Sequence, residues 1–149
     1  MVPAVLIYRG KYLTVRRFSG VPEMCAVETQ QSTNEFTVDI CEQENKMALY
    51  FSYENQIYLP KVDGGTLRVE RVVDAVDGSS ANIPDSSWFV KEYCGLSGYY
   101  ILRTVAEPPQ YIAPGINSSR QSKFKLSENR KDCIVVKQQR PHPPPSKSA

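Results

Sequence analysis

The sequence predicts an all-β domain, a β-trefoil of twelve short strands arranged in three pseudo-repeats. Three observations carry that prediction. The apolar residues alternate or fall in short runs broken by Gly, Pro, Asn and Ser. No stretch of ten or more residues keeps a helical apolar spacing. A strand-turn-strand pattern centred on an aromatic residue recurs along the chain.

The strands follow in order. The first four are Val5–Tyr8, Tyr12–Arg16, Met24–Glu28 and Glu35–Cys41. Next come Met47–Ser52, Gln56–Lys61, Thr66–Val72 and Ser87–Tyr93. The last four are Gly98–Val105, Gln110–Ala113, Lys123–Leu126 and Cys133–Gln138. Val, Ile, Tyr, Phe and Thr dominate these segments, as a pleated, half-buried surface prefers. Breakers such as Ser19-Gly20-Val21-Pro22, Asp63-Gly64-Gly65, Pro108-Pro109 and Pro114-Gly115 fill the gaps. The run Val69–Val76 is the best helical candidate, but its strand-like start and Val-Val pair argue against a helix. Strands this short and numerous must close on themselves or pair sheet on sheet to satisfy their edges.

The repeat decides between those arrangements. Gly10–Arg16 is similar to Gly98–Val105, and Tyr12 precedes Phe36 by the same 24 residues that separate Tyr100 from Phe124. Trp88 sits between the two, 52 residues after Phe36 and 36 before Phe124. Three units of four strands predict packing around a pseudo-threefold axis, with Phe36, Trp88 and Phe124 as equivalent core plugs. The long loop Asp74–Asp85 accounts for the extra length of the middle unit. A β-sandwich or another barrel is the competing arrangement. The domain is read as residues 1–139. Residues 140–149, with four prolines and no apolar anchor, read as a disordered Pro-rich tail.

Composition excludes much chemistry. The 149 residues carry a net charge of only +2, which gives no argument for nucleic-acid binding. That total hides a segregation. Residues 1–20 sum to +4, residues 21–92 to −8 and residues 123–149 to +5. If the two ends meet in the fold, one side is basic. The single histidine, His142, lies in the tail, which excludes a His-based triad or a His-rich metal site. The four cysteines, Cys25, Cys41, Cys94 and Cys133, show no CxxC pair, so metal binding is not expected; three disulfide pairings or four free thiols remain open. Asp74, Asp77 and Asp85 share a loop beside Gly78 and two serines, where a solvated loop is the plainer reading than a cation site. Asn117-Ser118-Ser119 is a sequon, meaningful only in a secretory lumen. No phosphate-cradling loop or paired acid-base set is visible, so neither an enzyme nor a cofactor is expected. The apolar run Ala4–Tyr8 is too short for a signal-peptide core or a membrane span.

Several segments resemble the interleukin-1 family of cytokines. Gln56–Val62 followed by Thr66–Val72 is similar to the family's central "YLSCV…TLQLE" hairpin. Ser87-Trp88-Phe89-Val90 stands where that family has its "RFVF" strand. Tyr100–Ile112 resembles the "FESAxxPxWYI" signature through Pro109 and the pair Tyr111-Ile112, although Ile101-Leu102-Arg103 replaces its Phe-Glu-Ser. The tail beyond Gln138 has no counterpart. The resemblance implies a cytokine, exported without a conventional signal peptide and cytoplasmic before release, that binds immunoglobulin-like receptor ectodomains as a monomer and triggers immune signalling.

A receptor contact needs aromatic or arginine anchors within a polar rim. The candidates are a basic face formed by Arg9, Lys11, Arg16 and Arg17, and an exposed turn formed by Lys91, Glu92 and Tyr93. Arg103 either joins that face or pairs with Glu107. The alternative function is a trefoil protease inhibitor presenting a proline-stiffened loop, at Ser19–Glu23, Glu107–Gln110 or Ala113–Asn117. A sugar-binding trefoil ranks below both, because the one Trp is better used in a core.

Overall fold

A computed structural model describes residues 1–28, 36–73, 83–95, 97–117 and 121–141. All twelve expected strands are present, and each overlaps its predicted segment. The first unit holds β1 (Val2–Tyr8), β2 (Lys11–Phe18), β3 (Val21–Val27) and β4 (Thr37–Gln43). The second holds β5 (Lys46–Tyr53), β6 (Gln56–Asp63), β7 (Thr66–Arg71) and β8 (Phe89–Tyr93). The third holds β9 (Tyr99–Thr104), β10 (Tyr111–Asn117), β11 (Gln121–Ser127) and β12 (Val136–Gln139). Short 3-10 turns, Asp85–Ser87 and Arg130–Asp132, precede β8 and β12.

The pairing is that of a β-trefoil. The first and last strands of the units close a six-stranded antiparallel ring, β1–β4–β5–β8–β9–β12 and back to β1. The middle strands form three hairpins, β2–β3, β6–β7 and β10–β11, and β3 also pairs with β11. Closure leaves no free edge in the ring. The turns suit it. Arg9-Gly10 and Ser19-Gly20 both have positive φ at each central residue, the twist-matched two-residue hairpin geometry in which glycine carries no Cβ penalty.

The register places the core in three layers. Leu6, Leu49 and Leu102 are fully buried and occupy corresponding positions of β1, β5 and β9. One layer along lie Ala4, Met47 and Tyr100, opposite Val38, Phe89 and Val136 of their own units. On the other side lie Tyr8, Phe51 and Thr104. The leucines are 43 and 53 residues apart, so the second unit's extra length falls outside the barrel. A second cluster on the outer face joins Cys41, Ala48, Tyr50, Leu59, Ile83 and Trp88. It explains why Met47–Phe51 is apolar throughout rather than alternating: both faces of β5 are covered.

Two sequence expectations are corrected. Phe36, Trp88 and Phe124 are all buried but are not equivalent plugs. Phe36 and Trp88 each immediately precede the fourth strand of a unit, whereas Phe124 lies in the third strand, β11. Trp88 packs in the outer cluster, not in the barrel. The equal spacing is one strand out of phase: Tyr12 to Phe36 spans β2 to β4, and Tyr100 to Phe124 spans β9 to β11. Each hop crosses two strands, so the equal spacing reflects strand length rather than symmetry. Residues 74–82 of the long loop, the sequon residues Ser118 and Ser119, and tail residues 142–149 lie outside the described residues.

Leu49→Ala removes one third of the central layer. It should destabilise the domain by about 2–5 kcal/mol in urea-induced unfolding, with the m-value unchanged.

Candidate binding surface

The basic residues of the first unit do not form one patch. Arg9 and Lys11 stand at one end of β2, and Arg16 and Arg17 near the other, roughly 15–20 Å along the strand. Each meets different neighbours. Arg9 lies 5.4 Å from the Tyr8 ring centre. Arg16 is half-buried between the Phe36 and Tyr53 rings, at 5.6 and 5.3 Å, and donates to Thr14 Oγ1 and the Val15 carbonyl. Arg17 pairs with Glu54 at 3.5 Å and donates to the Gly20 carbonyl. Arg16 is therefore a packing residue. The two basic ends of the chain do meet, because β1 pairs with β12, whereas the β3–β11 pairing sets Glu23 of the acidic middle against Lys123.

Lys91, Glu92 and Tyr93 are not a turn; they are the second half of β8. Alternation sends them to different places. The Lys91 side chain is only 13% exposed and pairs with Glu42 at 3.2 Å. Its ammonium also lies 5.1 Å from the Tyr93 ring centre and 5.4 Å from that of Tyr100. Tyr100 donates its hydroxyl to Gln138 Oε1 at 2.7 Å. These residues come from β4, β8, β9 and β12 and seal one end of the barrel with polar groups. Glu92 faces outward, where it pairs with Arg103 and, at 3.2 Å, with Arg130. Arg103 thus pairs with Glu92 and not with Glu107. Tyr93 is 66% exposed, with its ring edge-on to Tyr100 at 6.4 Å.

The electrostatics follow from these contacts. Burial would lower the Lys91 ammonium, but hydrogen bonds to Tyr93 and Glu42 carry it above its ordinary value. Burial, with Glu42 and Tyr93 nearby, pushes the Tyr100 phenol up. Burial also pushes the Cys25 thiol up to about 12, so it stays protonated. All four cysteines are free, Cys25 and Cys41 buried and Cys94 and Cys133 half-buried. No group of metal-ligating side chains is present among the described residues.

A rigid loop and a cleft complete the surface. Buried Thr104 clamps the loop after β9: its Oγ1 accepts from the Gln110 amide at 2.9 Å, and its own amide donates to the Gln110 carbonyl at 2.8 Å. Residues 105–108 are held exposed between those bonds. Beside this loop a cleft of about 550 Å³ opens between the second and third units. Among the described residues its walls are the β6–β7 turn, the 3-10 turn Asp85–Ser87, Trp88 and the start of the clamped loop.

Sequence reasoning named Lys91, Glu92, Tyr93 and Arg103, the last without its partner Glu92, but missed Glu42, Tyr100, Arg130 and Gln138. No local motif marks those four, since ring closure alone brings them together. Only correct strand phasing would have placed Lys91 and Gln138 at matching positions.

Solved structures similar to this chain share its fold. SeviL bound to the asialo-GM1 saccharide superposes with a TM-score of 0.63 at 7% identity, covering 95% of this chain and 99% of that one. A structural-genomics protein of unknown function from Caenorhabditis elegans gives 0.59 at 14% identity, over 93% of each chain. The BEL β-trefoil in an apo crystal form gives 0.57 at 10% identity, over 93% of each. No family model and no curated protein sequence matches the chain. The likeness establishes the β-trefoil fold; membership of the interleukin-1 family is not shown.

The raised phenol predicts the alkaline behaviour. Tyr100 holds its proton more tightly folded than unfolded, so its contribution is complete below the unfolded value near about pH 10 and is lost as pH rises beyond it. Equilibrium unfolding measured from pH 8 to 12 should show that decline, and Tyr100→Phe should flatten it while losing about 1 kcal/mol at pH 8 with the Gln138 bond.

Proposed function

We propose that the protein is a non-catalytic recognition protein of interleukin-1-like type. In this reading it is secreted without a conventional signal peptide and docks on the immunoglobulin-like ectodomain of a cell-surface receptor to trigger immune signalling. The observation that carries the reading is Tyr93. A tyrosine two-thirds exposed at the barrel rim would ordinarily swing freely. Here its ring is fixed by the Lys91 ammonium on one side and the Tyr100 ring on another, beside the Lys91–Glu42 ion pair on the same face of β8. An immobilised aromatic within a polar rim is the composition of an interface hot spot, and its ordering costs are already met in the free protein. The resemblance at Gln56–Val72 and Tyr100–Ile112 supports the receptor class.

The clamped loop at residues 105–108 favours a second reading, a protease inhibitor that inserts a rigid segment into an enzyme cleft. A panel of endoproteases tests it, and stoichiometric inhibition abolished by Thr104→Ala would establish it in place of the first.

The primary reading is checked by surface plasmon resonance against a panel of immunoglobulin-like receptor ectodomains. One member should bind, and Tyr93→Ala should weaken it by roughly 30-fold without changing the melting temperature. A panel that shows no binding defeats the reading.

A further inference from the structure

We propose that the cleft between the second and third units binds a net-neutral, hydroxylated small ligand, a mono- or disaccharide. The cleft is separate from the Tyr93 rim, and the inference does not depend on the receptor reading. Its volume of about 550 Å³ lies within the ~300–1,000 Å³ of small-molecule sites. Among the described residues its polar groups are few and of complementary kind. Lys46, at the start of β5, offers an ammonium donor; Asp85, from the 3-10 turn, offers a carboxylate acceptor; Ser86 offers a hydroxyl that can do both. Among the described residues neither Lys46 nor Asp85 forms an ion pair, in contrast to the paired lysines and arginines around the barrel rim.

The charge balance selects the ligand. Among the described lining residues one cation and one anion balance, so a charged ligand would lose its hydration without a matching counter-charge in excess from them. A neutral polyol loses less and gains more. Each of its hydroxyls donates and accepts, so a donor, an acceptor and a hydroxyl can be met at once whatever their separation along the ring. The remaining walls fit the other half of such a molecule. Val62, Val105 and Trp88 give an apolar bed against which the C–H face of a sugar ring can lie. The site is built on the β6–β7 turn and the Thr104-clamped loop, so it is formed before the ligand arrives.

Trp88 is the only tryptophan of the chain and supplies its own reporter. Tryptophan emission of the full-length protein would be titrated with galactose, N-acetylglucosamine and lactose, and with the charged analogues galacturonate and galactosamine. At least one neutral sugar should give a saturable change with a Kd in the millimolar range, about −4 kcal/mol, and bind more tightly than either charged analogue. Asp85→Ala and Lys46→Met should each weaken that binding about tenfold or more while circular dichroism and the melting temperature stay unchanged. The proposal is overturned by a flat titration with all three neutral sugars up to about 100 mM. Tighter binding of a charged analogue overturns it too, as does saturable binding that both substitutions leave intact, which would place the sugar elsewhere.

Discussion

The structure depends on one constraint: twelve short strands cannot bury their apolar faces pairwise, so six of them must close into a ring. The ring closes where the chain's two ends meet, β1 against β12, with Leu6 opposite Gln138 and Ile7 opposite Lys137. Inside it, three leucines from three units share one layer. Each leucine is buried only because the other two are present, which is why no single unit is a domain. The hairpins β2–β3, β6–β7 and β10–β11 then cap one end, and the outer cluster around Trp88 fills the space beside the long middle unit.

Closure also fixes what the surface can do. The end of the barrel away from the hairpins cannot be filled by leucine without exposing it. It is filled instead by Lys91, Tyr100, Gln138 and Glu42, whose charges and hydrogen bonds are satisfied among themselves. Those groups are consumed by structure. What they hold in place is Tyr93, which is therefore displayed without being mobile. Thr104 plays the same part for the loop after β9: it takes the core-layer position where the other units have Tyr8 and Phe51, and gives up apolar volume for two bonds to Gln110.

The strands were legible in the sequence because their signal is local. Alternation, β-branched content and Gly-rich turns located all twelve, and the number of units came with them. The phase was not legible. Tyr12, Phe36, Tyr100 and Phe124 offered an equal spacing that joined the second strand of one unit to the first of another, and nothing short of the pairing partners could reveal it. The same loss of phase misplaced the surface. Arg16 reads as a solvent-facing base in sequence, yet two aromatic rings distant in the chain, Phe36 and Tyr53, flank it. Glu92 reads as a turn residue, yet Arg103 and Arg130 reach it from β9 and from the turn before β12. Those partners lie 11 and 38 residues away, beyond any local pattern.

Native-state hydrogen exchange tests the ring most directly. If closure by the chain ends is what holds the domain together, the amides of β1 and β12 exchange as slowly as those of β5 and β9, all through global unfolding. Early exchange of β1 and β12, at a free energy well below the global value, would show that the ends fray from an already stable core and would contradict the account.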